Sequence, residues 1–253
     1  MRPAIVMPMH DPNGILFPHL RDATPFLRGA FARGYINVTA ATVERQPAWA
    51  AWLDGEPFFS VTGRGDAARP GEQFAELYRH AATVCPPAQV LHLGFVDRVV
   101  YALSSEFRQA YLDDVDALKP AETPALYHRS SAAWETHPAN YRMMEGMVTA
   151  VGAALLGGRS FDFAWCYMAI TAGRLARLMP SITRPDLSML AEMVLGLHRE
   201  LHIHEADWLA WEDPFLLKRD AAELKREREG SADEMRRRLA YVIPMLSVLQ
   251  SAT

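Results

Sequence analysis

Through the first hundred residues, short apolar runs alternate with amphipathic stretches of helical period, and this alternation restricts the fold more than any other feature. Ile5, Val6, Met7, Pro8 and Met9 form an unbroken apolar run that ends in His10-Asp11-Pro12-Asn13-Gly14, a buried strand followed by a turn. Over 16–33, Leu16, Leu20, Ala23, Leu27, Ala30 and Phe31 recur at helical spacing, and Gly34 stands where a C-terminal cap belongs. The segment 35–43, rich in β-branched residues, reads as a second strand, 47–53 as a short helix and 58–62 as a third strand. Residues 72–84 carry Phe74, Leu77, Tyr78 and Ala81 on one helical face, and a strand from Val90 is expected to end in Asp97-Arg98. Strands separated by helices pair in parallel, because the crossover must return over the sheet. The expected fold class is α/β, with a mostly parallel sheet flanked by helices.

The second half is richer in helix. Residues 125–129 read as a strand. Residues 140–156 read as an amphipathic helix closed by Gly157-Gly158, with Met143, Met144, Met147, Val148 and Val151 as core filler. Helices are expected over 169–178 and 186–201, and a strand over 202–209. Glu and Arg or Lys alternate over 220–239, which reads as an exposed C-terminal helical arm and the candidate surface for a homodimer. Asp162 and Asp186 read as helix caps. No internal repeat or clear linker interrupts the chain, so 1–253 is expected to be one domain.

Composition narrows the function. Half of the residues are hydrophobic and 22% are charged, as in a packed globular chain. A net charge of −4 argues against a nucleic-acid partner. The two cysteines, Cys85 and Cys166, have no CxxC spacing, which points to a reducing compartment. The apolar stretches 147–156 and 161–172 are interrupted, so no transmembrane segment is expected, and the chain reads as cytoplasmic. Gly63-Arg64-Gly65-Asp66 lacks the third glycine of a dinucleotide loop and reads as a surface loop. There is no GxSxG elbow and no GxxxxGK[ST] loop.

The segment Leu91-His92-Leu93-Gly94-Phe95-Val96-Asp97-Arg98 resembles the region in which GT-A glycosyltransferases carry their DxD motif. The resemblance, to bacterial family-2-like members, continues through Tyr127-His128-Arg129, Thr136-His137-Pro138, Glu145 and the Trp208–Glu212 stretch, covering roughly 90–215. It implies a GT-A-like three-layer sandwich with a nucleotide-binding half over about 1–120, an acceptor half over about 121–215 and the helical arm over about 216–253. It also implies a nucleotide-sugar donor, an acceptor of unknown identity, and Mg²⁺ or Mn²⁺ as cofactor. The first aspartate of the motif is missing near Phe95, which leaves Asp97 alone and keeps open a non-catalytic ligand- or protein-binding domain.

Candidate roles follow from side-chain chemistry within that resemblance. Asp97 is expected at the metal or donor sugar, with Arg98 and Arg129 at the diphosphate. His10 and Asp11, at the end of the first strand, are expected near the nucleotide base. His202 and His204, two apart on a strand, share a face and are candidate metal ligands beside Asp97. Carboxylates beside indole rings suit a sugar site, so Glu212, Asp213 and Asp207 are candidate catalytic groups, with Trp208 and Trp211 against the acceptor. His137 and Glu145 are expected to line the acceptor side.

Overall fold

The computed structural model describes residues 1–63, 69–118 and 123–251; the loop reading of Gly63-Arg64-Gly65-Asp66 falls mainly on 64–66, outside the described residues. Among the described residues, seven strands, β1 (Ala4–Met9), β2 (Gly34–Val38), β3 (Phe59–Val61), β4 (Val90–Gly94), β5 (Ala125–Arg129), β6 (Tyr167–Thr171) and β7 (His202–Ala206), form one sheet in the order β3-β2-β1-β4-β6-β5-β7. The β1, β2, β3 and β4 pairings are parallel. β6 runs antiparallel to both β4 and β5, while β5 and β7 are parallel. The carboxyl ends of β1, β4, β5 and β7 therefore lie along one edge of the sheet.

Helices cover both faces, which explains why β1, β2 and β4 are buried at every position instead of alternating. One core packs Leu77, Tyr78, Trp165, Val194 and Met245 against the sheet; the other packs Phe17, Leu27, Val100, Tyr111 and Trp208 on the opposite face. This is a three-layer α/β sandwich, a mostly parallel sheet with helices on both faces, as the alternation of strands and helices predicts.

The chain steps from β1 outward to β2 and β3, then returns to the other side of β1 as β4. Such a reversal opens a crevice beyond the carboxyl ends of the two central strands. β1 pairs with β4 only over Ala4, Ile5 and Val6. Pro8, which has no N–H to give, falls in the stretch where the two strands have parted.

Several local expectations are corrected. The first helix, Leu16–Ala30, ends at Phe31, and Gly34 is the first residue of β2. A Cβ at Gly34 would stand 2.6 Å from the Phe59 ring, so close packing explains this glycine better than a cap does. β2 stops at Val38 and a short helix, Ala40–Arg45, takes the rest of 35–43. The expected 169–178 helix is β6 followed by Ala172–Leu178. The 202–209 strand ends at Ala206 and passes into a 3₁₀ turn, Asp207–Leu209. The charge-rich tail is two helices, Ala221–Glu229 and Ala232–Ser251. The second is no free arm, because Val242, Met245, Val248 and Leu249 lie in the core. On the Ala139–Leu155 helix, Met144 and Val148 are buried, but Met143, Met147 and Val151 are exposed and fill no core.

Candidate functional site

Asp97 sits at the crevice, although not on a strand. β4 ends at Gly94, and Asp97 and Arg98 lie in the first turn of the helix Val96–Ser104. Three cavities meet there. One of about 270 Å³ runs between the splayed ends of β1 and β4, lined by Pro8, Met9, Gln73, Phe74 and Phe95. A smaller chamber of about 170 Å³ lies beneath, among Arg98, Arg129, His137, Glu145, Glu212 and Arg238. A wide cleft of about 790 Å³ opens outward past Asp11, Asp213, Arg228, Arg237 and Tyr241. Asp97 and Leu187 line all three.

The chamber is a closed charge network. Arg98 pairs with Glu212 and donates to the Ala210 carbonyl at 3.0 Å. Arg129 binds Glu145 and Asp162, each at 2.7 Å, and lies over the Trp134 ring. Arg238 reaches Glu145 at 2.9 Å from the last helix and lies over Tyr141. Burial raises the Asp97 carboxyl, Arg98 opposes the rise, and Asp213 adds to it. Glu212 is pushed up to about 8 by burial, against the pull of Arg98 and with repulsion from Asp97 and Asp213. Burial would raise Glu145 too, but Arg129 and Arg238 hold it below the usual carboxylate range.

The His137 ring is 1% exposed. Its Nδ1 stands 3.0 Å from the Ala133 carbonyl, which can only accept, so the proton sits on Nδ1. The neighbouring Thr136 hydroxyl accepts from Trp211 N at 2.8 Å, tying this loop to the one that carries Glu212.

The remaining candidates are dispersed. His10 lines the first cavity and the cleft, with Nδ1 at 2.9 Å from Thr39 Oγ1. Asp11 borders the cleft, but its carboxylate accepts from Ile15, Leu16 and Phe17 N–H at the start of the first helix. It thus takes the place an anionic ligand would have at that terminus. Asp213 lines the cleft and pairs with Arg228. Exposed Asp207 accepts from the Ser130 hydroxyl and borders none of the three cavities. Trp208 belongs to the opposite core, where its indole N–H donates to Asp114 at 2.6 Å. Trp211 packs edge-on against Tyr141. Asp162, expected to be a cap, is the partner of Arg129.

His202 begins β7 at the sheet edge, at the end opposite to the crevice, and His204 stacks on Tyr127. Neither approaches the cavities around Asp97. Among the described residues, no three His, Cys, Asp or Glu side chains are grouped to hold a metal ion. Among the described residues, Asp97 is a donor at the crevice and no closed metal centre forms around it.

Phe95, Tyr141, Leu187, Arg238 and Tyr241 line the site and are absent from the sequence-based candidates. The last two come from the Ala232–Ser251 helix, where the charged stretch 233–238 hides the inward-facing position of Arg238.

No family model matches the chain, and no curated protein matches it. Among the described residues, no helix is long and apolar enough to cross a membrane. Solved structures similar to the chain include the following three. A mycobacterial protein is 12% identical, with a TM-score of 0.49 and 80% of this chain covered; the chain spans 64% of that protein's length. Glucosyl-3-phosphoglycerate synthase from Mycobacterium tuberculosis, solved with Mn²⁺, UDP-glucose and phosphoglyceric acid, is 12% identical at a TM-score of 0.49, with 98% of this chain and 79% of that chain covered. A 4-diphosphocytidyl-2C-methyl-D-erythritol synthase from Anaerococcus prevotii is 8% identical at a TM-score of 0.48, with 89% of this chain and all of that chain covered.

Proposed function

We propose that the chain transfers a glycosyl group from a nucleoside diphosphate sugar to an acceptor hydroxyl. The observation that carries this reading is the position of Asp97, where three contiguous cavities of different chemistry meet at the carboxyl edge of the sheet. The apolar cavity with Phe74 and Phe95 suits a nucleobase, and Gln73 lies on its wall. A diphosphate extending from it would reach the N-terminus of the Val96–Ser104 helix, with Arg228 and Arg237 across the cleft. The chamber and the wide cleft are left for the sugar and the acceptor.

In this reading the acceptor oxygen bonds to the anomeric carbon, and the bond from that carbon to the diphosphate breaks, its electron pair leaving with the diphosphate. The acceptor proton passes to a carboxylate. Asp213, half-buried on the cleft wall, is placed for that task. Glu212 is buried in the small chamber and does not border the cleft, and Asp207 lies outside the cavities. Most of the rate enhancement would come from positioning, as holding reactants in line removes the entropic cost of their encounter.

The test is a thermal-shift panel of UDP, GDP, CDP, ADP and TDP, each with and without Mn²⁺. A ligand that binds only the folded chain raises the melting temperature. We expect one nucleoside diphosphate to stabilise the wild type and to lose that effect in Asp97→Ala. Absence of a shift with every nucleotide at millimolar concentration overturns the reading.

A further inference from the structure

The small chamber beneath Asp97 carries three guanidinium groups, and all three are already engaged. Arg98 is held by Glu212 and the Ala210 carbonyl, Arg129 by Glu145 and Asp162, and Arg238 by Glu145 and the Tyr241 hydroxyl. An entering phosphate or carboxylate would find each guanidinium already held by oxygen acceptors and would face the carboxyl groups of Asp97 and Glu212. An entering ammonium would meet three arginines at close range. A buried charge without a partner is costly, so the chamber disfavours both signs.

His137 supplies what the paired charges do not. With the proton on Nδ1, its Nε2 is a bare acceptor, buried and without a partner among the described residues. Burial, with Arg98 and Arg129 nearby, lowers its basicity far below that of an ordinary imidazole. Such a group accepts a hydrogen bond without taking the proton, which matches an alcohol donor. Phe95 and Leu190 add an apolar wall on which the C–H face of a sugar can rest.

We propose that this chamber selects an uncharged, hydroxyl-rich group, one hydroxyl of which donates to Nε2 of His137. The inference rests on the transferase reading for the source of the group, which is either the glycosyl end of a nucleotide sugar or a free acceptor sugar. His137 acts here as a specificity-determining contact, not as a base.

Saturation-transfer NMR on the full chain tests this. The probes are methyl glucoside, methyl mannoside and methyl galactoside, the corresponding uronates and sugar phosphates, and UDP-glucose against UDP-glucuronate. We expect at least one neutral probe to bind and its charged counterpart to bind at least about tenfold more weakly. Binding of the free glycoside assigns the chamber to the acceptor; binding of the nucleotide sugar alone assigns it to the donor. His137→Leu should weaken the neutral probe about tenfold, while His137→Gln, whose amide oxygen can accept in the place of Nε2, should restore most of the affinity. Melting curves of both variants confirm that they are folded. A charged counterpart that binds as well as the neutral probe, an undiminished His137→Leu, or no binding of any neutral probe overturns the proposal. Neutral glycosides that depend on His137, in a chain that binds no nucleotide, would overturn the transferase reading and leave this one standing.

Discussion

Arg129, the last residue of β5, and Glu145, inside the Ala139–Leu155 helix, form an ion pair of 2.7 Å in which each side chain is only 5% exposed. The same carboxylate takes Arg238 from the last helix, so one side chain joins a strand and two helices. Removing one member of a buried pair leaves its partners charged in a medium that cannot solvate them. Glu145→Ala should therefore cost about 3–5 kcal/mol. Urea unfolding measures this, and a loss below about 1 kcal/mol, the worth of an exposed pair, would mean that solvent reaches the network.

Glu212 gives a pH dependence of definite sign. Its folded-state value of about 8 lies above the ordinary 4.5, so between these values the folded chain holds a proton that the unfolded chain has lost. The contribution of this group is complete at acidic pH and declines as the pH rises toward 8. Glu212→Gln keeps a neutral side chain at every pH. Relative to the wild type, it should gain stability steadily from mildly acidic to mildly alkaline conditions. Melting temperatures of both proteins across that range check this, and a constant difference would show that Glu212 is ionised throughout.

The histidines separate two views of the site. Asp97 borders all three cavities, whereas His202 and His204 lie on the edge strand away from them. Nucleotide affinity, followed by calorimetry, should fall at least tenfold in Asp97→Asn and stay unchanged in His202→Ala and His204→Ala. A drop in either histidine variant would return β7 to the site.

How much of this was legible in the sequence depends on the range of the interaction. β1 stands where its apolar run predicts, because a strand buried on both faces advertises itself in consecutive residues, whereas β4 starts at Val90 as expected but stops at Gly94, short of Asp97. Residues 169–171 of β6 read as helix because Thr171 passes directly into the Ala172–Leu178 helix, with no loop between strand and helix to mark the boundary. At the site, Asp97, Arg98, Arg129, His137, Glu145 and Glu212 do line one chamber. Their partners were not visible, since Arg238 and Tyr241 arrive from almost a hundred residues away, on a helix whose charged residues mask its inward face. Trp208 shows the opposite error. A tryptophan beside acidic residues suggests a sugar platform, but its indole N–H is satisfied by Asp114 in the far core.

Asp11 should prove structural. Its carboxylate accepts from the N–H groups of Ile15 and Leu16 at 2.8 and 2.7 Å, where the first helix leaves its donors unpaired. Asp11→Ala should cost about 1 kcal/mol, as with the loss of other helix N-terminal acceptors. If nucleotide affinity falls while stability holds, Asp11 belongs to the donor site instead.

The Ala139–Leu155 helix allows a sharp comparison between adjacent methionines. Met143 is 59% exposed and Met144 is 6% exposed, although both sit in the same apolar run. Met144 packs into the core with Val148 and Phe163, so truncation there removes contacts and leaves a void. Met144→Ala should destabilise the chain by about 2–5 kcal/mol. Met143→Gln exchanges one solvated side chain for another and should stay within about 0.5 kcal/mol of the wild type. Denaturant titrations of both variants decide the matter. Equal losses would place Met143 against a protein surface, either elsewhere in this chain or on a second copy, and sedimentation of the wild type would then tell the two apart.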